Sequence, residues 1–280
     1  MNLIDSLKLQ SVIADGAMGT RLMEQGYQAD DLVALLLKKP EVISAIHQAY
    51  VEAGADLIYT HTFLANTLYI EKKGLAAQME AIHCKAVELA RNAGARFVAG
   101  NMGPLCHAMF AKSQVTRDYN ELTPYYYNQA KALVDAGVDL LALETFTDPK
   151  DLQVAIKACR AACGETSLLA SVTVSSEGKF ADGSLLTDFL PTLESDSIDL
   201  WGFNCMNPSE ILSILPVIKP CLQWPVVFKP NAGKPKLDAD QFASEMLALQ
   251  PHGSIFGGCC GTTPEYINKM KGKLTQPLSS

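Results

Sequence analysis

The chain has 280 residues, of which 48% are hydrophobic and 19% are charged. This composition is typical of a globular protein with a substantial core, and it excludes a disordered or fibrous chain. The formal net charge is −7, and the Lys and Arg residues are scattered along the chain. We therefore expect no nucleic-acid partner, because binding to a phosphate backbone requires a concentrated basic surface.

The N-terminal residues MNLIDSLKLQSVIADG lack the basic start and the long apolar core of a signal peptide. No stretch of the sequence approaches the roughly 18 apolar residues of a membrane helix. The sequence thus predicts a soluble, cytoplasmic protein that has no membrane partner. In that compartment we expect the eight cysteines to be mostly reduced thiols, some of them free to bind a metal.

Short apolar runs alternate along the chain with longer segments of helical period, such as residues 40–53 and 78–93. Eight runs are predicted to be strands: 11–14, 57–60, 97–100, 140–143, 168–172, 200–204, 225–228 and 255–256. Eight strands, most of them followed by a helix, favour a closed parallel barrel over an open sheet. We predict an α/β fold, a (β/α)8 TIM barrel that forms one domain over residues 1–280.

Cysteines follow two of the predicted strands. Cys205 follows the sixth strand, and Cys259 and Cys260 follow the eighth within a Gly-Gly-Cys-Cys-Gly sequence. Adjacent side chains of a regular strand point to opposite faces, so both of these cysteines reach one centre only if the backbone bends, which the flanking glycines permit. Three thiolates that leave a fourth position open are typical of a catalytic zinc site.

The alternative for any cysteine is a buried thiol with no metal. We expect that role for the remaining cysteines of the predicted helices, Cys84, Cys159 and Cys163, and for Cys221 in a predicted loop. Cys106 and His107 follow the third predicted strand, but two residues alone are only weak evidence for a metal site.

Seven stretches, spread from the first strand to the last, carry a family resemblance. They are Asp15-Gly-Ala-Met-Gly-Thr, Gly54-Ala-Asp-Leu-Ile-Tyr-Thr-His-Thr-Phe, Gly100-Asn-Met-Gly-Pro, Glu144-Thr-Phe, Gly202-Phe-Asn-Cys, Pro230-Asn-Ala-Gly-Lys-Pro and Gly257-Gly-Cys-Cys-Gly-Thr-Thr-Pro. Through them the chain resembles the homocysteine S-methyltransferase family, whose members place a Cys and a later Cys-Cys pair around zinc on a barrel. The stretch at Pro230 looks most like the homocysteine module of cobalamin-dependent methionine synthase.

The resemblance implies a set of site residues. The zinc ligands and catalytic groups are Cys205, Cys259 and Cys260, and the substrate-binding residues are Asp15, Gly16, Ala17, Glu144 and Asn231. Asp15 and Glu144 are expected to bind the amino acid end of homocysteine, and the amides around Gly16 and Ala17 its carboxylate. Carboxylates pair well with an ammonium group, and N–H groups of a Gly-rich turn suit a carboxylate. Asp15 as a turn or N-cap residue, and Glu144 as part of an ion pair, are the alternatives.

The implied activity is the methylation of homocysteine to methionine, with homocysteine activated as a zinc thiolate. A separate methylcorrinoid protein is the predicted donor, and a small donor such as S-methylmethionine is the alternative. A different class of protein also fits the cysteines: a non-catalytic zinc or redox protein in which Cys259 and Cys260 form a disulfide.

Three residues at predicted strand ends depart from the family pattern, namely His61, Asn101 and Lys229. His61 either lines the site or forms a hydrogen bond to a neighbouring loop. Lys229 suggests a second possible enzyme, a barrel lyase or aldolase that uses this amine to form a Schiff base.

Overall fold

The computed structural model of the chain describes residues 2–105 and 118–275. Within these residues the strands are β1 (Val12–Ile13), β2 (Leu57–Tyr59), β3 (Phe97–Met102), β4 (Leu140–Phe146), β5 (Ser167–Val172), β6 (Leu200–Asn204), β7 (Val226–Lys229) and β8 (Ile255–Phe256). All neighbouring pairs are parallel, and the order in the sheet is β1-β8-β7-β6-β5-β4-β3-β2.

The ends of this sheet meet between β1 and β2. Ala14 and Leu57 form a parallel bridge. The Asp15 N–H donates to the Leu57 carbonyl at 3.0 Å, and the Asp56 N–H donates to the Ile13 carbonyl at 2.7 Å. The sheet therefore closes on itself, and the predicted (β/α)8 barrel is confirmed.

Helices cover the outside of the barrel and occupy one of its ends. In the described part of the chain they are α1 (Leu3–Leu7), α2 (Gly19–Glu24), α3 (Leu35–Lys38), α4 (Pro40–Glu52), α5 (Thr67–Lys72), α6 (Met79–Asn92), α7 (Thr123–Asp135), α8 (Pro149–Cys163), α9 (Leu186–Phe189), α10 (Pro208–Ile218), α11 (Ala239–Leu249) and α12 (Pro264–Leu274). Five of them begin with proline in the first turn, where its missing N–H costs no helical hydrogen bond. The apolar face of α4, with Ile43, Ile46 and Tyr50, is buried as its period predicts.

The core has two parts. A small cluster fills the barrel interior with alternate strand residues such as Val12, Leu140 and Leu200, and Leu3 of α1 packs into it. A larger cluster lies between the strands and the surrounding helices. Helix α1 packs into the interior cluster and closes one end of the barrel. The polar groups gather at the other end, where the strands reach their carboxyl termini.

Two strands extend at least two residues further at their carboxyl ends than the sequence predicts. The predicted third strand stops at Gly100 and the fourth at Leu143, whereas β3 reaches Met102 and β4 reaches Phe146. The prediction was wrong here because Asn101 and Glu144 resemble loop residues, although their segments still pair with neighbouring strands. The register shifts between Leu143 and Phe146, so Glu144 lies in an irregular part of β4 and not after it.

No helix in the described ranges is both long and apolar enough to cross a bilayer.

Candidate metal and substrate site

Three thiols converge at the carboxyl ends of the strands. The Sγ atom of Cys205 lies 2.7 Å from that of Cys259 and 3.4 Å from that of Cys260, and the last two are 4.0 Å apart. All three are free cysteines. Their sulfur atoms lie within 4.8 Å of one another, a grouping that could hold a metal ion.

The backbone after β6 turns sharply to place Cys205. This residue has a φ of 58°, in the left-handed region that non-glycine residues seldom adopt. Its N–H donates to the Lys229 carbonyl at 3.2 Å, and its carbonyl accepts a hydrogen bond from Asn231 Nδ2 at 3.0 Å. The end of β7 and the segment after it therefore hold the turn in this unusual conformation.

The Cys259-Cys260 segment is fixed from two directions. The Cys259 N–H donates to the Pro230 carbonyl at 2.7 Å, and the Cys260 carbonyl accepts from the Ala232 N–H at 2.9 Å. The Thr262 hydroxyl donates to the Cys259 carbonyl at 2.7 Å. A Cβ atom at Gly258 would overlap the Thr262 side chain, so glycine is needed at this close approach.

The proton affinities of the thiols differ although their sulfur atoms are close. Hydrogen bonding with Cys205 raises the pKa of Cys259 and lowers the pKa of Cys260 to about 3. Of the three thiols, Cys260 therefore has the lowest pKa.

A buried charged cluster lies beside the thiols. Lys229 Nζ is 3.0 Å from Asp15 Oδ1 and 3.6 Å from Glu144 Oε1. The ammonium group also lies 3.2 Å from the centre of the Tyr59 ring. Asp15 and Glu144, which are far apart in sequence, are brought together as predicted, but an ammonium group of the protein lies between them.

Burial and ion pairing shift the pKa values of these groups in opposite directions. Burial raises the pKa of the Asp15 and Glu144 carboxyls, and the Lys229 charge opposes both shifts. The Asn101 side chain also opposes the rise in the pKa of Glu144. For Lys229, burial favours the neutral amine, but Asp15 and Glu144 outweigh it and raise its pKa. Lys229 therefore remains an ammonium ion, which disfavours the Schiff-base alternative, since that chemistry requires a neutral amine.

The other predicted substrate residues line the same region. Gly16 is buried so closely against Tyr50 and Thr262 that a Cβ atom would overlap both side chains. No residue in the described ranges accepts the Gly16 N–H, whereas the Ala17 N–H donates to Thr262 Oγ1 at 3.2 Å. Asn231 contacts the backbone of Cys205 and accepts from the Gly233 N–H at 2.8 Å. Asn231 thus braces a cysteine turn, a contact that the sequence did not predict.

Of the two alternatives for His61, the structure contains the hydrogen bond to a neighbouring loop. The ring Nε2 of His61 lies 2.9 Å from the Leu32 carbonyl oxygen, and burial lowers the pKa of the ring to about 4.

The other cysteines that the structure describes do not join the three-thiol group. Cys159 and Cys163 are buried in α8, and Cys84 is exposed on α6. Cys221 ends a short 3-10 helix, Lys219–Cys221, where the sequence predicted a loop. Cys106 and His107 lie outside the described residues.

Two polar residues that support the site were not predicted from the sequence. Asn204 binds Thr145, the residue after Glu144, and Thr262 contacts both Cys259 and Ala17. The available signal was the position of Asn204 at a strand end directly before a cysteine.

The fold and the site together define a barrel protein with a three-thiol centre, able to hold a metal, at the carboxyl ends of its strands. A sequence model described as homocysteine S-methyltransferase matches residues 12–274. The chain belongs to the homocysteine S-methyltransferase family, a family of enzymes that transfer a methyl group to a thiol.

Individual relatives agree with this assignment. The methionine synthase of Mycobacterium tuberculosis is 31% identical over 306 residues, which cover 96% of this chain but 25% of that protein. The chain thus spans about a quarter of the length of the methionine synthases it matches.

Solved structures of the homocysteine methyltransferase MmuM from Escherichia coli share 28% identity and cover 97% of this chain. The metallated form has a TM-score of 0.83 with 99% of its own chain covered, and the oxidized form has a TM-score of 0.82 with 98% covered. A metal at the three-thiol centre is consistent with the metallated relative and with the grouping of the cysteines.

Proposed function

We propose that this chain is a homocysteine-binding barrel domain that methylates the homocysteine thiol to give methionine, with zinc held by Cys205, Cys259 and Cys260. The observation that carries the proposal is the convergence of these three sulfur atoms within 4.8 Å at the carboxyl ends of the strands. Cys205 precedes the adjacent pair Cys259 and Cys260 by 54 positions or more, and the barrel brings it to them.

The donor set fits zinc. All three groups are soft thiols, and no described His or carboxylate joins them. When bound, the metal supplies the stabilisation that keeps an acceptor thiol deprotonated, in a position that three protein ligands leave open. This matters because a free thiol with a pKa of about 8.5 is only about 3% thiolate at pH 7.

The residues around the thiols bind and orient the amino acid end of the acceptor. Glu144 offers a buried carboxylate oxygen to the substrate ammonium, and the Gly16 N–H has no described acceptor of its own and is free to meet the substrate carboxylate. Burial of Asp15, Glu144 and Lys229 keeps water away from these contacts and strengthens them. Asn231 donates a hydrogen bond to the Cys205 carbonyl and so fixes the turn that carries this cysteine. Its contribution to substrate binding is therefore indirect, through the position of Cys205.

For the methyl donor we propose a separate methylcorrinoid protein. The support is the Pro230-Asn-Ala-Gly-Lys-Pro stretch together with the similarity to methionine synthases four times as long as this chain. A small donor such as S-methylmethionine is the second candidate, and the full-length match to MmuM, a homocysteine methyltransferase of similar size, favours it.

The experiment combines metal analysis with product formation. The wild type, Cys259→Ser and the control Cys84→Ser, which changes an exposed cysteine on α6, are purified and supplied with zinc. Methionine is then measured from homocysteine with methylcobalamin, a methylcorrinoid protein or S-methylmethionine. We expect about one zinc per chain and methionine formation in the wild type and the control, and loss of both in Cys259→Ser. A wild type that folds but neither binds zinc nor forms methionine with any donor would overturn the proposal.

A further inference from the structure

Lys229 occupies the place assigned to the substrate ammonium. Its side chain is 4% exposed, and its Nζ atom lies between Asp15 and Glu144. The family resemblance implies that those two carboxylates bind the amino acid end of homocysteine. The protein therefore brings an ammonium group of its own to this subsite.

The two carboxylates are not equally occupied. Asp15 Oδ1 accepts from Lys229 Nζ at 3.0 Å, and Asp15 Oδ2 accepts from the Tyr59 N–H at 2.9 Å. Lys229 Nζ is 3.6 Å from Glu144 Oε1, beyond hydrogen-bond distance, and this oxygen accepts no hydrogen bond from any residue that the structure describes. Both carboxylate oxygens of Asp15 thus accept hydrogen bonds, whereas Oε1 of Glu144 can still accept one from a substrate.

The net charge of the cluster follows from this pairing. Two carboxylates and one ammonium give −1, so one substrate ammonium makes the cluster neutral. Without Lys229 the same residues would carry −2, and a thiol lacking an ammonium would leave both charges buried and uncompensated. Buried unpaired charges are costly, so the charge of Lys229 affects ammonium-bearing and ammonium-free thiols differently.

We propose that Lys229 is a specificity-determining residue: it holds Asp15 as an internal ammonium, so that Glu144 alone binds the substrate ammonium and thiols without that group are tolerated. This inference rests on the proposed function. The acceptors it admits are homocysteine and thiols of similar length that carry a carboxylate but no ammonium, such as 4-mercaptobutyrate.

The test compares four proteins whose cluster charge differs. Asp15→Asn gives 0, the wild type −1, the Asp15→Asn/Lys229→Met double variant −1 and Lys229→Met −2. Methionine keeps an unbranched side chain of similar length, and an amide at position 15 can still accept the Tyr59 N–H. The backbone bond from the Cys205 N–H to the Lys229 carbonyl is available in all four proteins.

The readout is the ratio of kcat/KM for homocysteine to kcat/KM for 4-mercaptobutyrate, measured with one methyl donor. We expect Lys229→Met to raise this ratio at least about tenfold and Asp15→Asn to lower it by a similar factor. The double variant should return to within about threefold of the wild type, because its cluster charge is the same. If Lys229→Met does not fold, the fall in Asp15→Asn and its reversal in the double variant still test the inference.

A ratio that stays the same in all folded variants would overturn the inference and leave the proposed function intact. A ratio that the second substitution does not restore would also overturn it, since the effect would then not follow the cluster charge. A wild type that methylates neither thiol with any donor would overturn the proposed function and this inference with it.

Discussion

Asn204 holds Thr145 through two hydrogen bonds. The Thr145 N–H donates to Asn204 Oδ1 at 2.9 Å, and Asn204 Nδ2 donates to Thr145 Oγ1 at 2.7 Å. Thr145 has a φ of 67°, a conformation that costs a β-branched residue about 1–3 kcal/mol. These bonds offset that cost and keep Glu144, the preceding residue, beside Lys229.

We therefore predict that Asn204→Asp lowers kcat/KM for homocysteine by about 10- to 100-fold. The substitution keeps the shape of the side chain but removes the Nδ2 donor, which lies 2.7 Å from Thr145 Oγ1 and 4.0 Å from Cys259 Sγ. The control is Ser171→Ala, which removes only the hydroxyl that donates to Asn204 Oδ1 at 2.9 Å, and which should cost less than about threefold. Steady-state kinetics measure both effects, and an Asn204→Asp variant as active as the wild type would show that the Nδ2 contacts of Asn204 do not matter for the reaction.

A second prediction concerns the stability that the protein loses by burying the ionised carboxylate of Glu144. Burial raises the pKa of this carboxyl above its ordinary value of 4.5. Because the folded-state pKa is the higher one, the stability linked to this proton is fully present below about pH 4.5 and is lost as the pH rises through the folded-state pKa. Glu144→Gln removes this loss, so the variant should exceed the wild type in free energy of unfolding by about 1 kcal/mol at pH 8.

The same substitution should reduce kcat/KM for homocysteine by about 100-fold, since the ammonium loses its charged partner. Urea unfolding at pH 4.5 and pH 8 measures the stability difference, with Glu52→Gln at an exposed position of α4 as the control. A wild type that equals or exceeds Glu144→Gln in stability at pH 8 would contradict the prediction.

A third prediction concerns acid stability. His47 is fully buried in α4, and neither ring nitrogen has a hydrogen-bond partner in the described part of the chain. Burial lowers its pKa from 6.5 to about 3. Since the folded-state pKa is the lower one, the stability linked to the neutral ring is fully present above about pH 6.5 and is lost as the pH falls towards the folded-state value.

His47→Leu should therefore be more stable than the wild type, by about 1 kcal/mol at pH 7 because two unpaired polar atoms are removed, and by more at pH 5. Chemical unfolding at the two pH values gives both differences. Equal differences at pH 5 and pH 7 would mean that His47 does not contribute to acid unfolding.

The sequence was sufficient to predict the barrel and the cysteine centre, because both depend on chain order. Few folds other than a barrel are compatible with eight strands that alternate with helices. In the barrel only β7 separates β6, which precedes Cys205, from β8, which precedes Cys259 and Cys260. The ends of β3 and β4 were not predictable from pattern alone. Asn101 and Thr145 are held in the sheet by Thr60, directly after β2, and by Asn204 at the end of β6, and these contacts have no local signal.

The pairing of Lys229 was likewise outside the reach of the sequence. A lysine at the end of β7 is compatible with a free amine, a surface charge or an ion pair. Only the three-dimensional structure shows Asp15, Glu144 and the Tyr59 ring around the ammonium group, and this buried arrangement favours the ion pair.

The most direct test of the central claim is X-ray absorption at the zinc edge of the zinc-loaded protein, with and without homocysteine. Three cysteine ligands predict three sulfur neighbours in the protein alone and a fourth when homocysteine is added, with no change for homoserine, which has a hydroxyl in place of the thiol. A sulfur count that homocysteine does not change, or zinc bound by fewer than three sulfur atoms in the substrate-free protein, would contradict the account.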